Sequence, residues 1–89
     1  MPNDIFLIWA DLMTTKNLMI TNEWAQITDG TKDEVIQFRG EIAICNSPDK
    51  PAPDAPALLF ENQTLTITAG DIAWARTPAP GVALILAIW

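Results

Sequence analysis

The stretch "QTLTITAGDIAWART", Gln63 to Thr77, decides the fold. Its first half alternates strictly, with Leu65 and Ile67 on one face and Thr64, Thr66 and Thr68 on the other. That is the pattern of a half-buried antiparallel strand. Ala69-Gly70 then turns the chain. The second half places Ile72, Trp74 and Arg76 on one side and Ala73 and Ala75 on the other, so a further strand follows the turn.

Working outward from this pair, "PAPG" (Pro78 to Gly81) makes the next turn and "GVALILAIW" (Gly81 to Trp89) is the longest apolar run in the chain. A helix needs about 20 apolar residues to cross a bilayer, so this run reads as a strand. Val82, Leu84, Leu86 and Ile88 then face one way, and Ala83, Ile85, Ala87 and Trp89 the other. Both sets are apolar. One is expected in the domain core and the other against a second subunit.

Upstream, "MITNEWAQIT" (Met19 to Thr28) reads as a strand that stops at Asp29-Gly30. "EVIQFR" (Glu34 to Arg39), Gly40 and "EIAIC" (Glu41 to Cys45) read as a strand pair or as one long strand bent at the glycine. "NSPDKPAPDAP" (Asn46 to Pro56) holds four of the seven prolines and reads as an ordered surface loop, either a contact loop or an inert connection. "ALLF" (Ala57 to Phe60) is a short strand. Turn signals about every 8 to 12 residues predict an all-β protein, a small antiparallel β-sandwich or barrel of about six to eight short strands.

The N-terminus admits two readings. Ile5, Ile8, Trp9, Leu12 and Met13 fall at helical spacing, with Asn3 as a cap, which favours one short helix. "IFLIWA" (Ile5 to Ala10) is also apolar at every position, and as a strand it would suit addition to a neighbouring subunit's sheet. The organisation expected is a helix or arm over residues 1–18 and a β-sandwich domain over residues 19–89, with the Pro-rich loop at 46–56.

At 89 residues the chain is one domain. A chain this short buries only about 60 to 65% of the surface its unfolded form exposes, so a partner is expected to supply further burial. Cys45 is the sole cysteine and there is no histidine. Zinc sites built from Cys and His are thereby excluded, as are Ser-His and Cys-His nucleophiles, and neither a cofactor nor a metal is expected. The net charge of −6 opposes nucleic acid phosphates and anionic membranes, and the five cations are scattered. Asp4 precedes the first apolar stretch and Asp11 interrupts it, unlike a secretory signal, so synthesis and assembly in a reducing cytoplasm are expected. The sequon Asn62-Gln63-Thr64 is then ordinary polar loop chemistry.

Few residues suggest chemistry. Asp29, Asp33, Glu34, Glu61 and Asp71 sit in or beside turns and read as turn caps and solvated surface rather than as a catalytic pair, and "DGTKDE" lacks the spacing of a known calcium loop. The four tryptophans read as core or interface anchors before sugar platforms. Arg76 either reaches water, the reading favoured, or stacks on an aromatic ring or pairs with Asp71 or Glu61. Cys45 reads as a buried small hydrophobe. The expected oligomer or partner interface is Trp9, Trp24, Trp74, Arg76, Ala83, Ile85, Ala87 and Trp89.

The order "EWAQITDGT", a short strand pair, a Pro/Ala-rich loop, "LTITAGDIAWART" and a terminal apolar strand resembles small β-rich bacteriophage virion proteins, including capsid decoration proteins and head-fibre or tail modules. The closing hairpin pattern covers Thr66 to Arg76, followed by Val82 to Trp89, and the likeness extends loosely over residues 23–89. The resemblance implies a non-enzymatic homo-oligomer, usually a trimer, that is assembled in the host cytoplasm, resides in the virion and binds the major capsid protein or other virion parts. A carbohydrate- or receptor-binding module of a fibre or tail is the alternative.

Overall fold

The computed structural model describes residues 15–89. Eight strands follow one another: β1 (Lys16–Ile20), β2 (Ala25–Gln26), β3 (Glu34–Phe38), β4 (Glu41–Asn46), β5 (Leu58–Glu61), β6 (Thr64–Ile67), β7 (Ala73–Arg76) and β8 (Leu84–Ile88). They form two antiparallel four-stranded sheets, β1-β8-β3-β6 and β2-β7-β4-β5. The described residues contain no helix, and the two sheets form an all-β sandwich with free edges rather than a closed barrel.

Two bent ribbons generate this arrangement. β3 and β4 do not pair with each other; they are one stretch of chain that leaves the first sheet and enters the second at Gly40. β5 and β6 make the reverse crossing at Asn62, and they pair with β4 and β3 respectively. The two crossings are tied together. Gly40 N–H donates to Asn62 Oδ1 at 2.6 Å, and Asn62 N–H donates to the Gly40 carbonyl at 3.1 Å. Both residues hold positive φ, 102° for Gly40 and 51° for Asn62, which is why glycine and asparagine stand at the bends. Of the two readings of "EVIQFR-G-EIAIC", the bent strand is the one that forms.

The second ribbon corrects another expectation. Met19 to Thr28 is not one strand: β1 ends at Ile20, the chain crosses between sheets over Thr21 to Trp24, and β2 begins at Ala25. β1 pairs with β8 and β2 with β7, so the crossing runs beside the one between β7 and β8. Thr77, fully buried, pins the two. Its N–H donates to the Thr21 carbonyl at 2.8 Å, Asn22 Nδ2 donates to its carbonyl at 2.8 Å, and its Oγ1 donates to the Val82 carbonyl at 2.8 Å. Local strand propensity yields here because these groups are satisfied only if the chain bends.

The core lies between the sheets. Ile20, Ile36, Phe38, Leu86 and Ile88 come from the first sheet, and Ile42, Ala73 and Ala75 from the second, with Ile27 beside them. Each large aliphatic side chain contributes about 1.5 to 3 kcal/mol by leaving water. The expected faces of β7 hold: Ala73 and Ala75 are buried, and Trp74 and Arg76 point outward and are half-buried. In β8, Leu86 and Ile88 are buried as expected, but Val82 precedes the strand and is 48% exposed. The boundary expected between residues 18 and 19 falls inside β1, whose Leu18 packs on the core. The helix expected near the N-terminus lies mostly outside the described residues; where they begin, Lys16 is already in a strand.

Candidate self-association surface

The sandwich has two outer faces, and the chain treats them differently. On the β2-β7-β4 side, the Pro-rich loop between β4 and β5 folds back over the sheet. Trp24 Nε1 donates to the Ala52 carbonyl at 3.0 Å, Trp74 Nε1 to the Ser47 carbonyl at 2.9 Å, and Arg76 Nη2 to the Pro53 carbonyl at 2.7 Å. Prolines lack an N–H but keep their carbonyls, so such a segment offers acceptors to indole and guanidinium donors. The Arg76 guanidinium also lies 4.3 Å from the Trp24 ring centroid, a cation–π stack. Pro51 in the same loop is buried, and Trp24 retains only 6% exposure. Lys50 and Glu23 add an exposed ion pair at 3.4 Å, worth little by itself.

These contacts give three of the expected interface residues an intrachain role. Trp24, Trp74 and Arg76, expected at a subunit interface, hold the chain's own loop through both indole N–H groups and the Arg76 Nη2, and Trp74 and Arg76 stay half-buried. Arg76 stacks on an aromatic ring rather than reaching freely into water or pairing with Asp71 or Glu61. Trp9 lies outside the described residues.

The outer face of β1-β8-β3-β6 has no such cover among the described residues. Ile85, Ala87 and Trp89 project from the β8 segment; Ile85 is 51% exposed and Trp89 82%, while Ala87 is half-buried and Ala83, ahead of the strand, is exposed. Met19, 67% exposed, stands opposite Ile85 on β1, and Trp89 N–H donates to the Val35 carbonyl at 2.8 Å, which sets the indole next to β3. Asn17 and Gln37 flank Ala87 on either side, and Gln37 Nε2 donates to Thr64 Oγ1 at 3.1 Å. No acidic residue occupies these outward rows, although the chain carries eleven acids. Gln37, Thr64 and the exposed, charged Arg39 line the surface beside Ile85 and Ala87, so a copy of this chain can cover the strip without burying acids while the Arg39 head stays in water at the rim.

Met19 and Val35 are members of this surface that residue-level reading missed. The signal that could have found Met19 is the alternation Asn17, Met19 against Leu18, Ile20, which becomes informative only when β1 is known to pair with β8.

The carboxylates serve turns. Asp29 accepts from Thr31 N–H at 3.0 Å and Thr31 Oγ1 at 2.7 Å, and these bonds, the hydroxyl's first, hold its carboxyl below the usual aspartate range. Asp33 Oδ1 accepts from Ala69 N–H at 2.7 Å, and Asp71 Oδ1 from Asn46 Nδ2 at 3.0 Å. Cys45 is half-buried rather than buried, beside Trp74 on the neighbouring strand. No protein-family model, curated protein or solved structure matches the chain.

Proposed function

We propose that this chain is a non-enzymatic structural protein of a bacteriophage virion, which decorates and stabilises a capsid as a homo-oligomer joined through the outer face of β1-β8-β3-β6. The observation that carries the self-association is the acid-free apolar strip of Met19, Ile85, Ala87 and Trp89 on a chain of net charge −6. The virion assignment rests on the sequence resemblance, and the trimer is the stoichiometry that resemblance implies. The mechanism is burial: an interface of about 1,600 Å² is a standard size for a specific complex, and its apolar part contributes about 25 cal/mol per Å². The loops at the ends of the sandwich remain free to touch the shell.

Light scattering of the purified chain and of Ile85→Lys tests the reading. The parent chain is expected to be oligomeric and the variant monomeric at the same concentration, with an unchanged unfolding midpoint once both are dilute; a monomeric parent rejects it. Co-sedimentation with shells of a major capsid protein tests the second half: the parent should pellet with the shell, and Ile85→Lys should bind at least about tenfold more weakly through lost avidity. One observation favours a second reading, a carbohydrate- or receptor-binding module: the indole of Trp89 is open in the isolated chain. Acrylamide quenching separates the two, because a sugar platform keeps Trp89 accessible in the oligomer whereas an interface hides it.

A further inference from the structure

Beside the crossings at Gly40 and Asn62, the outer face of β1-β8-β3-β6 carries polar chemistry that the apolar strip does not use. A cleft of about 400 Å³ opens there, lined by Gln37, Arg39, Asn62, Gln63 and Thr64 around a floor of Ile85. Its size falls within the range of small-molecule sites, about 300 to 1,000 Å³. None of the lining residues is acidic. The nearest acids in sequence, Glu41 and Glu61, stand opposite one another on β4 and β5, in the other sheet. Arg39 is exposed and forms no ion pair among the described residues.

The bend fixes the polar groups around that cation. Asn62 Oδ1 accepts from Gly40 N–H at 2.6 Å, so the Asn62 amide nitrogen is the group left to donate. Gln37 Nε2 donates to Thr64 Oγ1 at 3.1 Å, which leaves Gln37 Oε1 as an acceptor. The Gln63 carbonyl accepts from Phe38 N–H at 3.1 Å and fastens the turn to β3. The cleft therefore sets one guanidinium beside amide donors and acceptors, over an aliphatic floor. A guanidinium pairs with a planar carboxylate through two parallel bonds, amides suit neighbouring hydroxyls, and an aliphatic floor suits the C–H face of a sugar ring. A lone cation on a chain of net charge −6 matches a singly charged carboxylate better than a phosphate dianion or a polynucleotide.

We propose that this cleft binds a carboxylated sugar residue of the uronic acid type, with Arg39 on the carboxylate and Gln37, Asn62 and Gln63 on the hydroxyls. The site rests on the carbohydrate-binding reading but not on Trp89, which does not line the cleft. It shares Ile85 with the self-association strip, so the sugar and a second copy of the chain exclude one another there.

Trigalacturonate, titrated into the 15N-labelled chain and into Trp89→Ser, provides the test. The side-chain amide signals of Asn62 and Gln63 should shift and saturate in both proteins, and Trp89→Ser, which thins the strip without touching the cleft, should bind at least as tightly as the parent. Arg39→Gln should bind at least about tenfold more weakly with an unchanged unfolding midpoint, and the fully methyl-esterified trisaccharide should bind the parent as weakly as that. Absence of saturable shifts in both the parent and Trp89→Ser overturns the proposal, whatever light scattering shows about self-association. Equal affinity for the methyl ester overturns it as well. Loss of binding in Trp89→Ser would return the sugar to the exposed indole, and equal shifts with inorganic sulfate at the same ionic strength would reduce the cleft to a general anion site; either result rejects the assignment.

Discussion

The two outer faces of this sandwich carry similar residues and meet different fates. The β2-β7-β4 face presents Trp24, Trp74 and Arg76, and the Pro-rich loop covers them with three carbonyl acceptors. The β1-β8-β3-β6 face presents Met19, Ile85 and Trp89, and the Trp89 side chain makes no hydrogen bond to the described residues. The difference teaches that an aromatic residue becomes an intrachain anchor or an exposed surface according to whether a segment with the right acceptors is long enough to reach it. Among the described residues, only the first face has a neighbouring loop of that kind.

The comparison breaks most completely at Trp24. Trp24→Ala removes a nearly buried indole together with the surface on which Arg76 stacks, and it should cost about 3 to 5 kcal/mol in urea unfolding. A cost below about 1 kcal/mol would mean that the loop does not hold this face. Next comes Thr77→Val, which leaves the crossing between the two sheets intact in shape but strips the Val82 carbonyl of its buried donor; about 1 to 3 kcal/mol is expected in the same assay.

Arg76→Gln removes the cation–π stack and the charged bond to Pro53, and about 1 to 2 kcal/mol should disappear, with amide exchange in the loop accelerating. The bare face should behave in the opposite way. Trp89→Ser changes monomer stability by no more than about 0.5 kcal/mol at high dilution, because its indole is already in water, yet it should lower the oligomeric fraction measured by light scattering. The smallest effect belongs to neither face. The carboxyl of Asp29 titrates below its unfolded value, so the stability it contributes is present above the unfolded pKa and is lost as pH falls through the lower folded one. Thr31→Val should raise that pKa in a carboxyl NMR titration, since the hydroxyl bond is its leading cause; an unmoved value would reassign it.

Much of the strand content was legible because period-two alternation reports burial directly. Leu65 and Ile67, Ala73 and Ala75, and Leu86 and Ile88 all turn inward as their patterns indicate. Partnership was not legible. "EVIQFR" and "EIAIC" read equally as a strand pair or as one strand bent at Gly40, and only the fold chooses the bend, because a bent strand and a hairpin have the same alternation on either side of Gly40 and differ only in which strands pair. The same blindness merged β1 and β2 into one strand, since the polar groups of Thr77 that force the bend lie more than fifty residues away in sequence.

The candidate surface divides along the same line. Composition and alternation determined that the domain from β1 onward is all-β, that its last strand is apolar on both faces, and that histidine- or thiol-based chemistry has too few residues to build on. Those follow from residue type and short-range order, which need no knowledge of which strands pair. Which tryptophans are hidden, which sheet each strand joins, and which apolar set is left in water were decided only in the folded chain. Each of these depends on pairings between segments far apart in sequence, where a single carbonyl brought within 3.0 Å of an indole N–H turns an exposed aromatic into part of the fold.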